Sequence, residues 1–224
     1  MRTSRQFAVI GLGRFGAHVA TGLYRHGHEV LVVDEDPARV DAVKSEVTSA
    51  AVADGTPLEA LEALAVTEMD AVIVGMGRQI EASILLTAVL REMGCKMIVA
   101  RAATHLHADI LSRVGATRVV YPEDDEAERV VRALVWPNLL DLVGLDGDID
   151  LAVMTVPKRF AGHTPAELQL RTRYGITLVA IRRQNPEDGS TTVLVPGPHD
   201  AMLAGDRLYL VGDEAAIARV GELG

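Results

Sequence analysis

Short runs rich in Val, Ile and Ala alternate through residues 7–121 with stretches whose apolar side chains recur at i, i+3 and i+4. Phe7 to Ile10, Glu29 to Asp34, Ala50 to Ala53, Ala71 to Val74, Met97 to Ala100 and Arg118 to Tyr121 read as strands, and Ile84, Leu85, Ala88 and Val89 carry helical spacing between two of them. Six strands in βα alternation predict an α/β fold, a Rossmann-like doubly wound parallel sheet. Pro37 and Pro57 fall just inside helix starts, where a missing N–H costs nothing. Gly94 and Gly115 stand at helix stops, and a further helix is predicted to begin after Pro122 and reach about Trp136 or beyond, with Pro137 bending or ending it.

Beyond that point the alternation changes. Leu145-Asp-Gly-Asp-Ile-Asp150 is acidic and turn-prone, and Leu151 to Val156, Thr177 to Arg183, Thr191 to Val195 and Leu208 to Val211 follow as strands without long helices between them. Two short helices are predicted, at Thr164 to Leu170 with Thr164-Pro-Ala-Glu167 as a capping box and at Asp213 to Glu222; Asn185-Pro-Glu-Asp-Gly189 is a hairpin turn. The expected organisation is a nucleotide-type domain over residues 1–142 and a small α+β subdomain over residues 143–224.

Composition narrows the function. Hydrophobic residues make up 49% of the 224-residue chain, enough for a core, and the 4% aromatic content suits parallel strands covered by helices. The formal charge is −9, with no basic run, so nucleic acid is not an expected partner. Cys95 is the single cysteine, which excludes an intrachain disulfide and fits a reducing compartment. No signal-type apolar segment precedes Phe7 and no long uncharged apolar run occurs, so the chain is expected to be cytoplasmic and not to span a bilayer.

Val9-Ile-Gly11-Leu12-Gly13-Arg14-Phe15-Gly16 follows the first strand and opens a helix. Gly11 permits a tight turn, Gly13 lets backbone approach phosphate, Gly16 allows close helix packing, and free N–H groups face the anion. Asp34, with Glu35 after it, ends the second strand, where a carboxylate accepts from both ribose hydroxyls and opposes a 2′-phosphate. Asp54-Gly55-Thr56 and Gly75-Met76-Gly77 occupy the next two βα junctions of the same edge, where ordinary turn chemistry is the plain alternative. Arg14 reaches past the phosphates toward the terminal phosphate of ATP or ADP, or toward a neighbouring subunit's ligand. Arg101 is a second cation at this edge, or a salt-bridged surface arginine.

Phe7-Ala-Val-Ile-Gly-Leu-Gly-Arg-Phe-Gly16, Gly27-His-Glu-Val-Leu-Val-Val-Asp34, Asp54-Gly-Thr56 and Ile110-Leu-Ser-Arg-Val-Gly-Ala116 together resemble the N-terminal half of an RCK domain, the regulator-of-potassium-conductance module. Leu168-Gln-Leu-Arg-Thr-Arg-Tyr-Gly175, Val179-Ala-Ile-Arg182, Pro196-Gly-Pro198 and Gly205-Asp-Arg-Leu-Tyr-Leu-Val-Gly212 resemble its C-terminal half, so the likeness to a TrkA-N/TrkA-C pair covers nearly the whole chain. It is nearest to the soluble gating subunits of Ktr-type potassium uptake systems, with Trk peripheral subunits a step further. The resemblance implies binding of ATP, ADP or NAD(H) at the glycine loop, Arg14 sensing a γ-phosphate, and Arg101 where the family has Lys or Arg. Glu123 matches a glutamate that holds an activating Mg²⁺ or Ca²⁺ across a dimer interface; the equal alternative is that it complements a helix N-terminus along with Asp124, Asp125 and Glu126. The resemblance further implies dimers assembled into a higher ring beneath an integral-membrane potassium-translocating subunit, at the inner face of the membrane. A cyclic di-AMP site in the C-terminal subdomain would be lined by Pro165, Ala166, Glu167, Gln169, Arg171, Ile176 and Pro196, Arg171 taking phosphate; Pro165, Ala166 and Gln169 depart from the family pattern.

An enzyme is not expected. His18, His26, His28, His105, His107, His163 and His199 form no metal-ligand or catalytic pattern; His105 and His107, two apart on a helix, face different ways; and Cys95 reads as a packed thiol. The alternatives left open are an NAD-dependent oxidoreductase of the same fold, or an NAD(H)-sensing protein of another system.

Overall fold

The computed structural model describes residues 4–186 and 188–223; residues 1–3, Glu187 within the expected 185–189 turn, and Gly224 lie outside it. The chain forms two compact units that divide at Asp124/Asp125. The first unit contains β1 (Gln6–Ile10), α1 (Arg14–Arg25), β2 (Glu29–Asp34), α2 (Pro37–Val43), β3 (Ser49–Val52), α3 (Leu58–Ala63), β4 (Ala71–Val74), α4 (Ile80–Glu92), β5 (Ile98–Arg101), α5 (His105–Val114) and β6 (Arg118–Val120). The six strands pair in parallel in the order β3-β2-β1-β4-β5-β6, so the order reverses between β1 and β4. Ile10 is in register with Val33 on one side and Val74 on the other, which brings three carboxyl ends to one level.

Alternation along β1 explains why both sheet faces are covered. Ala8 and Ile10 join one core with Val33, Val72, Val74, Leu86 and Leu111, while Phe7 and Val9 join another with Ala20, Val32, Val40 and Ile73. Pro37 takes the first helical position of α2 behind the Asp36 cap, whereas Pro57 is itself the residue capping α3. Cys95 is buried and its thiol is pushed up by desolvation.

Between α4 and α5 lies a buried polar cluster. His107 Nδ1 accepts from the Ala103 amide at 3.2 Å, so its Nε2–H donates to Ser83 Oγ at 2.8 Å, and Ser83 Oγ donates to Ile80 O. His105 is exposed, so the two histidines do face apart. Burial holds the His107 imidazole below its ordinary pKa. The unfolded chain therefore takes up the proton first: the His107 contribution is intact above pH ~6.5 and is lost as pH falls from there to the depressed folded value. We expect wild-type stability in urea to fall by up to ~1.4 kcal/mol per pH unit in that window, and His107→Gln to remove that slope. An unchanged slope in the variant would place the proton uptake elsewhere.

The division falls in the first turn of α6 (Pro122–Val135), and the second unit continues through β7 (Leu139–Asp146), β8 (Ile149–Thr155), α7 (Pro165–Leu168), β9 (Thr177–Gln184), β10 (Thr191–Leu194), β11 (Arg207–Gly212) and α8 (Glu214–Gly221). Its antiparallel sheet has the order β10-β9-β11-β8-β7, and its core gathers Met154, Phe160, Ile176, Ile181, Met202, Leu208, Leu210, Ile217 and Val220. Two expectations need correction. β7 crosses the 142/143 boundary expected for the domains, because Leu139 to Asp146, which straddles that boundary, pairs along β8 as an edge strand. The expected helix at Thr164 to Leu170 stops at Leu168, where Gln169 turns left-handed with φ +52°, and a π-helical turn follows over Leu170–Tyr174. Among the described residues no helix is long and apolar enough to cross a membrane.

Candidate nucleotide site

The carboxyl edge of the first sheet is assembled by contacts that only glycine permits. Gly11 (φ +92°) leaves β1 with its N–H on Val33 O at 2.8 Å, and Gly75 leaves β4 with its N–H on Ile10 O at 2.8 Å. A Cβ on Gly16 would lie 2.0 Å from Gly11 O and one on Gly75 2.4 Å from the same oxygen, so α1 and the β4–α4 loop converge on one carbonyl. Gly55 stands similarly against Ile10. Gly13 is different: a Cβ there meets nothing within 4 Å. It precedes a twelve-residue helix with no acid in its first turn and no side-chain cap, so the first N–H groups of α1 face that open space.

Asp34 is buried at the end of β2 and already works for the loop. Its Oδ2 accepts from Leu12 N at 2.5 Å and its Oδ1 from Asp36 N at 2.9 Å. Leu12 is corrected as a direct ligand: its side chain is in the core and its amide belongs to Asp34, so its part is to hold the acid in place. Asp54 accepts from Thr56 N and Thr56 Oγ1, closing the β3–α3 turn, and exposed Glu35 meets Gln79 Nε2 at 3.4 Å across the β4–α4 loop. Phe15 is half-buried against the α1 core, and the Met76 amide lies under Gly11.

Two arginines flank this edge. Arg14 is exposed at the first position of α1. Arg101 is mostly buried, lies over Gly77, and pairs through Nη2 with Glu123, while its Nε is buried with no hydrogen-bond partner among the described residues. An unpartnered buried nitrogen of this kind costs ~1–3 kcal/mol. Glu123 alone does not fit the expected cation: it is spent on Arg101, and no group of three metal-ligating side chains exists among the described residues. Tyr121, near the start of α6, is pushed up by desolvation and by the Asp109 and Asp124 carboxylates.

Residue reading missed Arg39, whose guanidinium lies 3.5 Å from Asp34 Oδ2 and 3.4 Å from Asp36 Oδ2. Its signal was a basic residue in the first turn of the helix after Asp34. His107 is excluded as a free base here because both ring nitrogens are bonded.

In the second unit the seven residues expected around a second ligand divide. Glu167 closes a capping box with Thr164, and the Thr164 backbone N–H holds its carboxyl below the usual range. Gln169 is the left-handed residue ending α7, and Ala166 N donates to Pro198 O. Arg171 is exposed, and Pro165 and Pro196 are half-buried. Ile176 is a correction: it is fully buried in the core and offers no surface to a ligand.

Comparison with known proteins agrees with this layout. The TrkA-N domain family matches residues 7–122 and the TrkA-C domain family residues 151–223. Ktr system potassium uptake protein C of Bacillus subtilis (strain 168) is 35% identical over 215 residues, covering 96% of this chain and 95% of that protein. Ktr system potassium uptake protein A of the same organism is 32% identical over 216 residues, covering 96% and 95%. Among solved structures, the GsuK channel bound to NAD is similar at 19% identity with a TM-score of 0.63, covering 99% of this chain and 40% of that one, which speaks to fold alone. With both domain families matched in order and relatives aligned along almost their full length, the chain belongs to the TrkA-N/TrkA-C family, the two halves of an RCK domain.

Proposed function

We propose that this protein is a nucleotide-controlled regulatory subunit of a membrane potassium uptake system, with ATP and ADP as signals rather than substrates. The observation that carries the nucleotide reading is the open face at Gly13, set on the free N-terminus of α1 while Gly16 and Gly75 are packed against the Gly11 carbonyl. Phosphates there meet unpaired N–H groups and the helix dipole, and the ribose meets Asp34. Relatives named as Ktr potassium uptake proteins, aligned over 96% of the chain, support the potassium part. In this reading the partner is a membrane-embedded translocating subunit and the working form is a ring of dimers.

ATP drives such a switch only if it favours one arrangement of subunits more than ADP does. Arg14 and the Arg101–Glu123 pair are where that difference is placed, since a terminal phosphate reaches them. Arg14→Ala is expected to weaken ATP by ~10–100-fold, the loss of one charge-assisted contact, and to leave ADP nearly unchanged. Calorimetric titration reads the affinities, and potassium flux through the co-expressed pore reads the switch. Equal ATP and ADP effects in wild type, or an ATP/ADP ratio untouched in both Arg14→Ala and Glu123→Gln, would remove the mechanism. NAD(H) is a second reading, favoured by the carboxylate at Asp34. A divalent cation at Glu123 would need nucleotide phosphates or a second copy of the chain for its remaining ligands. Cyclic di-AMP in the C-terminal unit would rest on Arg171 and the exposed α7 residues, without Ile176.

A further inference from the structure

On the sheet of the second unit, Arg182 of β9 is the direct cross-strand partner of Arg207 of β11. The pairing puts two guanidinium groups side by side, because opposed residues on neighbouring antiparallel strands have Cβ atoms ~4.5–5.5 Å apart. Both side chains are exposed, and among the described residues neither has an ion pair or a hydrogen bond. The acid next in sequence, Asp206, does not relieve them: it is buried, with its oxygens taken by Arg183 and the Leu203 amide. Like charges directly opposite destabilise a sheet, and here they stand in a protein whose formal charge is −9.

The pair also lines a concavity. Arg182, Arg207, Gln184, Thr191 and Gly205 surround a solvent-open recess of about 90 Å³. Gln184 and Thr191 are themselves opposed across β9 and β10, so the register puts an amide and a hydroxyl at the next rung from the arginines. Gly205 adds no side chain at the remaining side. The lining holds two forked cations and two neutral donors, and no carboxylate.

We infer that this recess is a phosphate-binding site, distinct from the glycine-loop edge of the first unit and from the α7 residues around Arg171. Guanidinium forks grip phosphate oxygens through parallel charge-assisted hydrogen bonds, and one anion between the two forks replaces their repulsion with two attractions. The recognised chemistry is a phosphoryl group, carried either by a small soluble anion or by a lipid headgroup.

Sodium pyrophosphate titrated into the intact chain by calorimetry tests the soluble source. Flotation with phosphatidylcholine vesicles containing phosphatidylglycerol tests the headgroup. Arg182→Gln, Arg207→Gln and the double variant are compared with wild type in both arms. At least one arm is expected to show binding that weakens ~10-fold or more in each single variant and disappears in the double variant. Pyrophosphate alone assigns a soluble ligand, and vesicles alone assign a headgroup. In low-salt buffer without anion, the double variant is expected to unfold at a urea concentration equal to or above that of wild type, because the repulsion is gone. Binding that is absent, or that persists unchanged in the double variant, overturns the site, as does a lower urea midpoint in that variant.

Discussion

Gly16→Ala is expected to destabilise the first unit by about 3 kcal/mol, the upper end of the overpacking range, and to abolish nucleotide binding with it. The new methyl would sit 2.0 Å from Gly11 O and 3.1 Å from Gly11 C, both backbone atoms, so no rotamer relieves the clash. Either α1 lifts from β1 or the turn at Gly11 opens, and both break the loop that Asp34 and Gly75 converge on. The melting transition of this unit should fall by roughly 10 °C. Gly13→Ala is the matched control. Its φ of −60° suits any L residue and its Cβ meets no protein atom, so it should cost less than ~1 kcal/mol as a cap change. Its methyl would occupy the space proposed for phosphate, so nucleotide affinity should nevertheless drop at least ~10-fold. A Gly13→Ala protein that binds nucleotide normally would show that phosphate does not lie over α1.

The second large effect belongs to the other unit. Asp206 is 2% exposed and accepts from Arg183 Nε at 2.9 Å, Arg183 Nη2 at 2.6 Å and Leu203 N at 2.8 Å. Arg183 Nη2 also donates to Ala201 O, so one guanidinium fastens β9 to the segment leading into β11. Arg183→Met leaves a buried carboxylate with only the Leu203 amide and should cost about 3–5 kcal/mol in urea unfolding. Adding Asp206→Asn to that variant removes the unpaired charge while keeping an acceptor for Leu203, and should recover much of the loss. A loss below ~1 kcal/mol in the single variant would mean that water replaces the guanidinium at Asp206.

The first unit is legible in the sequence because each of its signals is local. Parallel strands covered on both faces must be apolar at every position, so Ala71 to Val74 announces itself by composition, and four of four residues are buried. Glu29 to Asp34 has the same clarity, and Asp34 is found by its distance from the glycine loop. β7 was hidden for the opposite reason. An edge strand buries one face only, and Asp141, Gly144 and Asp146 dilute its alternation until it resembles a linker. The break at Gln169 was hidden too, since a left-handed non-glycine residue leaves no mark in composition.

At the candidate sites the division follows range. Residue types and spacing by themselves determined the doubly wound sheet, the glycine loop, the acid that follows it and the family resemblance, because a strand, a tight turn and a helix start are settled within a few residues. Tertiary structure alone decided what those groups touch. It gave Leu12's amide and Arg39 to Asp34, Glu123 to Arg101 and Ile176 to the core, and it set Arg182 against Arg207 across two strands. Each of these contacts joins residues far apart in the chain, and a side chain's partner is fixed by register and packing, which no local pattern encodes.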